Sequence, residues 1–208
     1  STQARSEVVG ILVNGEKAST ISAGQQAEVI LRETPFYAEG GGQSGDGGQL
    51  EGLRGLFQVE DTQSPITGLI VHKGVVVRGS IAVGDEVAAA VDQARRNDGA
   101  RNHTATHLLH AALRKILGSH VRQQGSLVTP DRLRFDFTHV SAVSPQELRQ
   151  VEEMVNDRIR EDLPVHKRET TYRQAVADGA LAFFGDRYGD RVRVVKVGAE
   201  DPRDRLTQ

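Results

Sequence analysis

The pattern of the sequence changes near residue 92, and this change limits the folds that the chain can adopt. Before it, short β-prone runs alternate with glycine turns, at residues 8–13, 27–31, 56–60, 69–71, 75–77 and 86–91. Several short strands at near-regular spacing, with little helix between them, predict a small glycine-rich β-barrel. We therefore predict an α+β protein with two domains, a barrel at residues 1–92 and an α+β domain at residues 93–208.

Residues 93–208 mix helical and β-prone stretches. A helix capped by Asn97 or Asp98 is predicted to end at Gly118, and strands are predicted at residues 125–128 and 133–137. Ser144 opens a second helix with a capping box, and Pro164 stops it. Its predicted buried stripe is Leu148, Val151, Val155 and Ile159. These elements suit a two-layer domain with helices on one side of a mostly antiparallel sheet.

Two histidines, His103 and His107, lie four residues apart in the first predicted helix. Positions i and i+4 share one helical face, so two imidazoles placed there can bind one metal ion, usually zinc. A zinc protease carries a glutamate directly after the first histidine, whereas this chain carries Thr104. Peptide hydrolysis is therefore disfavoured. The alternative interpretation is a pair of ordinary helix-surface histidines.

Residues 34–48 read TPFYAEGGGQSGDGG and contain three consecutive glycines. Glycine is used where φ is positive or where a backbone closely approaches another group. No Gly-Lys-Ser/Thr follows, so the loop is not the phosphate-binding loop of nucleotide hydrolases. A flexible hairpin loop is the simple alternative, but Pro35, Phe36 and Tyr37 would anchor one end, and Gln43 closes the run with a hydrogen-bonding amide.

Three blocks of the sequence together resemble the alanyl-tRNA synthetase family. They are HTATHLLH at residues 103–110, TPFYAEGGGQ at residues 34–43, and FGDRYGD at residues 184–190 followed by VRVV at residues 192–195. The resemblance is to the editing domain and its free-standing relatives. It extends from about residue 8 to residue 197, and the three blocks stand in the family's order.

The resemblance implies a glycine-rich barrel followed by a two-layer editing domain that hydrolyses the ester of mischarged Ser-tRNA(Ala) or Gly-tRNA(Ala). It implies that His103 and His107 bind Zn²⁺ and that Gln43, Thr104 and Thr106 line the substrate pocket. The implied partners are the acceptor end of tRNA(Ala) and the rest of the parent synthetase. A pocket that must hydrogen-bond the serine hydroxyl would reject alanine, and two threonines and a glutamine suit this role.

One part of the family pattern is missing. The family's downstream Cys-x-x-x-His, which completes the zinc site, is expected where residues 198–208 read GAEDPRDRLTQ, and the chain has no cysteine. Structural zinc sites use four ligands and catalytic sites three, so two histidines leave the site incomplete. His110 is a possible substitute, but we interpret it as a helix-surface histidine.

Three other functions stay open. The chain could be a free-standing alanyl-tRNA editing deacylase, a metalloprotease, or a non-catalytic tRNA-binding module. The missing motif counts against the first, Thr104 counts against the second, and the incomplete ligand set favours the third.

Composition adds bounds on location and partners. The formal net charge is −2, so no general basic field indicates RNA binding, and contacts with tRNA would come from local patches. Candidates are Arg95, Arg96, Arg101, Arg158, Arg160, Lys167 and Arg168. The absence of cysteine suits a reducing compartment, and no long apolar run predicts a membrane span. We therefore expect a cytoplasmic protein with no membrane partner.

Overall fold

The computed structural model describes residues 1–177 and 191–198, and the chain divides into two compact units. We call Ser1–His103 with Ser126–Leu133 the barrel unit. The second unit comprises Thr104–Gly125 and, from Arg134 onward, the rest of the chain.

The barrel unit is built on an antiparallel sheet that closes on itself. Its strands are β1 Gln3–Val13, β2 Glu16–Lys17, β3 Thr20–Ser22, β4 Gln26–Leu31, β5 Gly48–Gly52, β6 Gly55–Ile66, β7 Leu69–Ala82 and β8 Glu86–Val91. The order around the barrel is β1-β4-β7-β6-β5-β8, and β8 returns to pair with β1. β2 extends β1, and β3 pairs with β7. The predicted small barrel is therefore present, and closure removes the exposed edges of its six strands.

The barrel core follows from the two-residue period of the strands. In β4 the residues Ala27, Val29 and Leu31 are buried while those between them are more exposed. Fully buried Leu50 and Phe57 contribute from β5 and β6, which are paired in register. Side chains of one face thus fill the interior, and those of the other face meet water.

The first hairpin has the turn that its sequence demands. Asn14 and Gly15 have φ values of 52° and 81°, and they connect β1 to β2 with Val13 opposite Glu16. Two consecutive positive φ angles are characteristic of the type I′ turn, for which Asn-Gly is the preferred pair.

Helix α1 spans Gln93–Leu117 and begins earlier than the sequence predicts. Asp92, directly after β8, accepts a hydrogen bond on Oδ1 from the Arg95 backbone N–H at 3.0 Å. This is the geometry of an N-cap, so the prediction of Asn97 or Asp98 as the cap is wrong. The predicted end is confirmed, because Gly118 follows the helix with φ of 116°.

The remaining described elements are β9 Gln123–Val128, β10 Leu133–Phe137, α2 Pro145–Arg160, β11 Val165–Thr171, α3 Tyr172–Ala177 and β12 Arg191–Val197. β9 pairs with β10, and β11 pairs antiparallel with β12. Over residues 1–177 and 191–198, these strands form two separate two-stranded sheets. The α+β character agrees with the prediction, but the single sheet predicted for this part of the chain is not seen in those residues.

The second unit packs the later part of α1 against α2 and β10. Its core cluster consists of Ala112, Leu113, Val121 and Val151, with Leu109, Ile116, Leu117, Phe135, Phe137, Met154 and Val155 partly buried against it. The capping box of α2 is confirmed, since Ser144 and Glu147 exchange hydrogen bonds. The predicted buried stripe is wrong at both ends, because Leu148 and Ile159 are each 53% exposed and α2 is covered only near its middle.

Within the part of the chain that the structure describes, no helix is both long enough and apolar enough to cross a membrane.

Candidate functional site

The glycine-rich loop of residues 34–47 has a fixed conformation in the barrel unit. Gly40 and Gln43 exchange backbone hydrogen bonds of 3.0 and 3.1 Å. On the next residues, the Ser44 N–H donates to the Val128 carbonyl at 2.9 Å and the Val128 N–H donates to the Gly42 carbonyl at 2.7 Å. The loop is therefore paired both with itself and with β9, and the alternative interpretation as a flexible hairpin loop is wrong.

Two glycines of the loop are required by close approach. A Cβ atom on Gly42, whose φ is 82°, would lie 2.6 Å from the Ser126 carbonyl oxygen. A Cβ on Gly45 would lie 2.1 Å from the Thr62 carbonyl oxygen. Both distances are far below van der Waals contact with backbone atoms, so larger residues would displace the loop from its neighbours.

The base of the loop is closed by Asp46. Its backbone N–H donates to the Tyr37 carbonyl at 2.9 Å, and its carboxylate accepts from the Tyr37 N–H at 2.6 Å. The same carboxylate is ion-paired with Arg96 on α1, whose Nη2 also donates to the Pro35 carbonyl at 2.6 Å. At the tip, the Tyr37 hydroxyl donates to the Gly40 carbonyl at 2.9 Å. Hydrogen bonds within the loop thus hold its two ends together, and the ion pair attaches it to α1.

Where the loop leaves β4, it is anchored by His72, which is fully buried in the barrel unit. His72 Nδ1 lies 2.9 Å from the Val29 carbonyl, which can only accept, so Nδ1 carries the proton. His72 Nε2 then accepts from the Thr34 hydroxyl at 2.7 Å, and the Phe36 ring meets the imidazole edge to face at 5.1 Å between centroids. Burial lowers the pKa of His72, in agreement with a neutral imidazole.

Gln43 and His103, two of the predicted site residues, are brought into contact. Gln43 Oε1 lies 2.7 Å from His103 Nδ1, although the two residues are 60 positions apart in sequence. The amide oxygen is only an acceptor, so Nδ1 donates and the imidazole holds its lone pair on Nε2. Metal-binding histidines are commonly oriented by such a bond from their second nitrogen, and a neutral histidine needs the same bond to act as a base at Nε2.

The other predicted site residues lie on the part of α1 that belongs to the second unit. His107 and Thr104 are partly buried, and Thr106 is only 4% exposed. His103 and His107 are both within this one continuous helix, as the i, i+4 prediction requires. The roles assigned to these residues stay predictions.

His110 corrects an interpretation made from sequence. It is 1% exposed instead of lying on the helix surface, and its ring is 5.0 Å from the ring of Phe135 between centroids. Burial, assisted by the nearby charge of Arg114, lowers the pKa of His110 to about 4. His110 is therefore a neutral core residue at physiological pH. Helical periodicity alone could not reveal this, because the neighbouring strand and helix decide which face is covered.

The described residues do not form a complete zinc site. Across residues 1–177 and 191–198, no group of three or more histidines or carboxylates is placed to hold a metal ion. His103 and His107 supply two donors, and the chain has no cysteine to supply another. Of the third sequence block, residues 184–190 lie outside the described residues, whereas residues 192–195 lie in β12.

The candidate tRNA contacts differ in their surroundings. Arg96 is not a free surface cation, because it is paired with Asp46 and its side chain is 24% exposed. Arg101, Arg158 and Arg160 form ion pairs along their own helix surface with Asp98, Glu161 and Asp157. Arg95 is exposed at the start of α1.

The roles of three site residues could not be found from the motifs alone. Asp46 and Arg96 join the loop base to α1, and Asn102 donates from its amide to the carbonyls of Thr129 and Pro130 at 2.8 and 3.1 Å. An acidic residue within a run of glycines was the one available signal for Asp46.

Comparison with known proteins shows which family the chain is similar to. The family model described as tRNA synthetases class II (A) matches residues 1–95. The alanine–tRNA ligase of Chloroflexus aurantiacus is 53% identical over 193 residues, 93% of this chain and 22% of that protein. The alanine–tRNA ligase of a Roseiflexus species is 53% identical over 197 residues, which are 95% of this chain and 22% of that protein. The alanine–tRNA ligase of Roseiflexus castenholzii is 52% identical over 200 residues, which are 96% of this chain and 22% of that protein.

These relatives are enzymes by name, and the chain spans about a fifth of their length. The likeness extends through both described units and includes all the site residues discussed above. With about half of its residues identical over more than nine-tenths of its length, the chain belongs to the alanyl-tRNA synthetase family.

Proposed function

We propose that this chain is the editing part of an alanyl-tRNA synthetase and that it hydrolyses the ester bond of Ser-tRNA(Ala) or Gly-tRNA(Ala). The observation that supports the proposal is the 2.7 Å contact between Gln43 Oε1 and His103 Nδ1. It joins the glycine loop to the histidine helix, the two blocks that carry the resemblance. A site that needs both blocks requires such a contact, and an unrelated use of either motif does not.

The chemistry asked of the site is modest. An aminoacyl ester is an activated acyl group, so its hydrolysis needs a positioned water and donors for the developing oxyanion. The Gln43 amide group supplies N–H donors while its oxygen holds His103. The bond from Gln43 also keeps the Nε2 lone pair of His103 in a fixed direction, where it can hold a proton or a ligand. The proposal derives no step from zinc, since the described residues leave its ligand set incomplete.

Selectivity for serine is proposed to come from hydroxyl groups on α1. A hydroxyl that bonds to the substrate's hydroxyl loses that bond when alanine binds, and the lost bond penalises alanine. Replacing Thr104 or Thr106 by valine keeps the shape and removes the hydroxyl. We expect at least one change to lower the serine-to-alanine ratio of kcat/KM by roughly tenfold or more, the effect of one lost hydrogen bond. If neither variant alters the ratio, this assignment is contradicted.

The proposed partners are the acceptor end of tRNA(Ala) and the rest of the parent synthetase, in the cytoplasm. The aminoacylation reaction of the ligase relatives is not expected from this chain, which should release amino acids from tRNA and not attach them.

The proposal is tested by incubating the chain with Ser-tRNA(Ala), Gly-tRNA(Ala) and Ala-tRNA(Ala) and measuring the released amino acid, with and without added zinc. Release of serine or glycine well above the uncatalysed rate, with alanine spared, supports it. Binding of all three tRNAs without release would instead support the non-catalytic module.

A further inference from the structure

We propose that the Asp46–Arg96 ion pair is a positioning pair that sets the tautomer of His103 by holding the glycine loop in register with α1. The value of that tautomer for ester hydrolysis rests on the proposed function. The positioning itself does not, and it is measured separately below.

The pair is built more firmly than a surface salt bridge. The side chains of Arg96 and Asp46 are 24% and 6% exposed. Arg96 uses Nε and Nη2 on the same carboxylate oxygen and Nη2 also on the Pro35 carbonyl, while that oxygen also accepts from the Tyr37 N–H. A buried charge pair with this many directed bonds fixes geometry, whereas its net effect on stability is small.

The pair acts at one end of the loop and Gln43 at the other. Asp46 joins Tyr37 through two hydrogen bonds and so closes the segment of residues 37–46 into a ring. Arg96 attaches the base of that ring to α1, and Gln43 attaches its tip to His103 on the same helix. Arg96 and His103 are seven residues apart, about two helical turns or roughly 10 Å. Two attachments at this spacing prevent the loop from sliding along the helix or turning away from it.

The chemical consequence falls on His103. Imidazole in water favours the tautomer with the proton on Nε2, whereas acceptance by Gln43 Oε1 requires the proton on Nδ1. Holding the loop in place therefore selects the less common tautomer, with the lone pair on Nε2. If the loop base is released, Gln43 moves and the preference disappears.

A merely structural ion pair would affect stability and leave the tautomer alone, so the tautomer is the deciding readout. We would record ¹⁵N-histidine spectra of the whole chain at pH 8, where imidazole is neutral, and identify His103 by its loss in His103→Gln. The variants are Arg96→Met, Arg96→Lys and Gln43→Leu. Arg54→Met is the matched control, because it breaks the Arg54–Asp85 pair (2.6 Å) elsewhere in the barrel unit.

We expect His103 of the unaltered chain to be mainly Nδ1-protonated. Gln43→Leu and Arg96→Met should each lower the ratio of Nδ1–H to Nε2–H by roughly fivefold, the size of one lost hydrogen bond. Arg96→Lys should lie between, since it keeps the charge but not the directed bonds. Arg54→Met should leave the ratio unchanged.

A ratio that falls in Gln43→Leu but stays unchanged in folded Arg96→Met would overturn the positioning role of the pair. If His103 of the unaltered protein is protonated on Nε2, the proposed link from the Asp46–Arg96 pair through Gln43 to His103 is overturned. Circular dichroism establishes that each variant is folded, and Arg96→Lys decides the question if Arg96→Met is not. Failure of the proposed hydrolysis leaves these tautomer results intact, so the two proposals fail independently.

Discussion

The barrel unit and the second unit bury their apolar residues in different ways. Six strands of the barrel unit close into a ring around a core that includes fully buried Leu50, Phe57 and Ile81. In the described part of the second unit, the core cluster has four buried residues, and its other members are only partly covered. Closure pairs the barrel's strand edges as well as burying its core, whereas the second unit depends on helix packing. The loop that carries Gln43 thus rests on the more completely buried of the two units.

The units also bury a histidine each, with different support. His72 is bonded to Thr34 and Val29 at 2.7 and 2.9 Å within the barrel unit. His110 lies beside Phe135 in the second unit, and the charge of Arg114 adds to the effect of burial on its pKa. We therefore expect a core deletion to cost more stability in the barrel unit, and acid to act mainly on the second unit.

The largest expected effects come from matched core deletions. Leu50, which is fully buried in β5, and Leu113, which is 3% exposed in α1, can both be replaced by alanine. Because partly buried neighbours can collapse into the gap, Leu113→Ala should lower the free energy of unfolding by about 2–3 kcal/mol and Leu50→Ala by about 4 kcal/mol. Urea unfolding followed by far-UV circular dichroism measures both, as the chain has no tryptophan. A larger cost for Leu113→Ala would reverse the comparison between the two cores.

Acid should act through His110. Its pKa is about 4 in the folded chain against 6.5 in the unfolded one, so the unfolded state binds a proton first as the pH falls. Stability from this residue is complete above pH 6.5, declines between pH 6.5 and 4, and is reduced by up to about 3 kcal/mol below that window.

Urea unfolding at pH 7 and pH 4.5 checks this, with His110→Leu as the comparison. In the variant, the free energy of unfolding should differ much less between the two pH values. Some difference should remain, because burial also lowers the pKa of His72. An identical pH dependence in the variant would show that His110 is not the group responsible.

The smallest effects concern two adjacent glycines of the loop. Gly41 and Gly42 both have positive φ, at 59° and 82°, but only a Cβ on Gly42 would meet a backbone oxygen, that of Ser126 at 2.6 Å. Gly41→Ala should therefore lower the free energy of unfolding by about 1 kcal/mol, for the left-handed conformation alone. Gly42→Ala should lower it by about 2 kcal/mol, because the clash with Ser126 adds to that conformation.

Only Gly42→Ala is expected to slow ester hydrolysis, because it separates the loop from β9. Equal activities of the two variants would mean that the approach of Gly42 to Ser126 does not help to form the site.

Much of the barrel could be predicted because its signals are local. Alternation in residues 27–31 and the Asn14-Gly15 turn each specify their own structure, and both are confirmed. Strand β5 was not predicted, because Leu50 is its one large apolar residue. Closure of β8 onto β1 was not specified by any local run either, since it pairs residues that are 79 to 87 positions apart.

The helices show the same limit. Polar residues after Asp92 resemble a cap at Asn97 or Asp98, so the true start of α1 was missed. Burial of His110 and exposure of Leu148 depend on which neighbouring elements cover each helix face. For the site, the family resemblance grouped Gln43 with His103, and the structure shows their contact. The Asp46–Arg96 pair needed coordinates, because nothing in the sequence connects a loop acid to a helix cation fifty residues later.

We propose that Gln43 and His103 act as one unit in a hydrolytic site. A double-mutant cycle of Gln43→Leu and His103→Phe on Ser-tRNA(Ala) hydrolysis tests it most directly, with single-turnover rates compared among the four proteins. We expect the double variant to be no slower than the slower single variant, since removing either residue disables the other. Rate losses that multiply, or a Gln43→Leu rate equal to that of the unaltered chain, would contradict it.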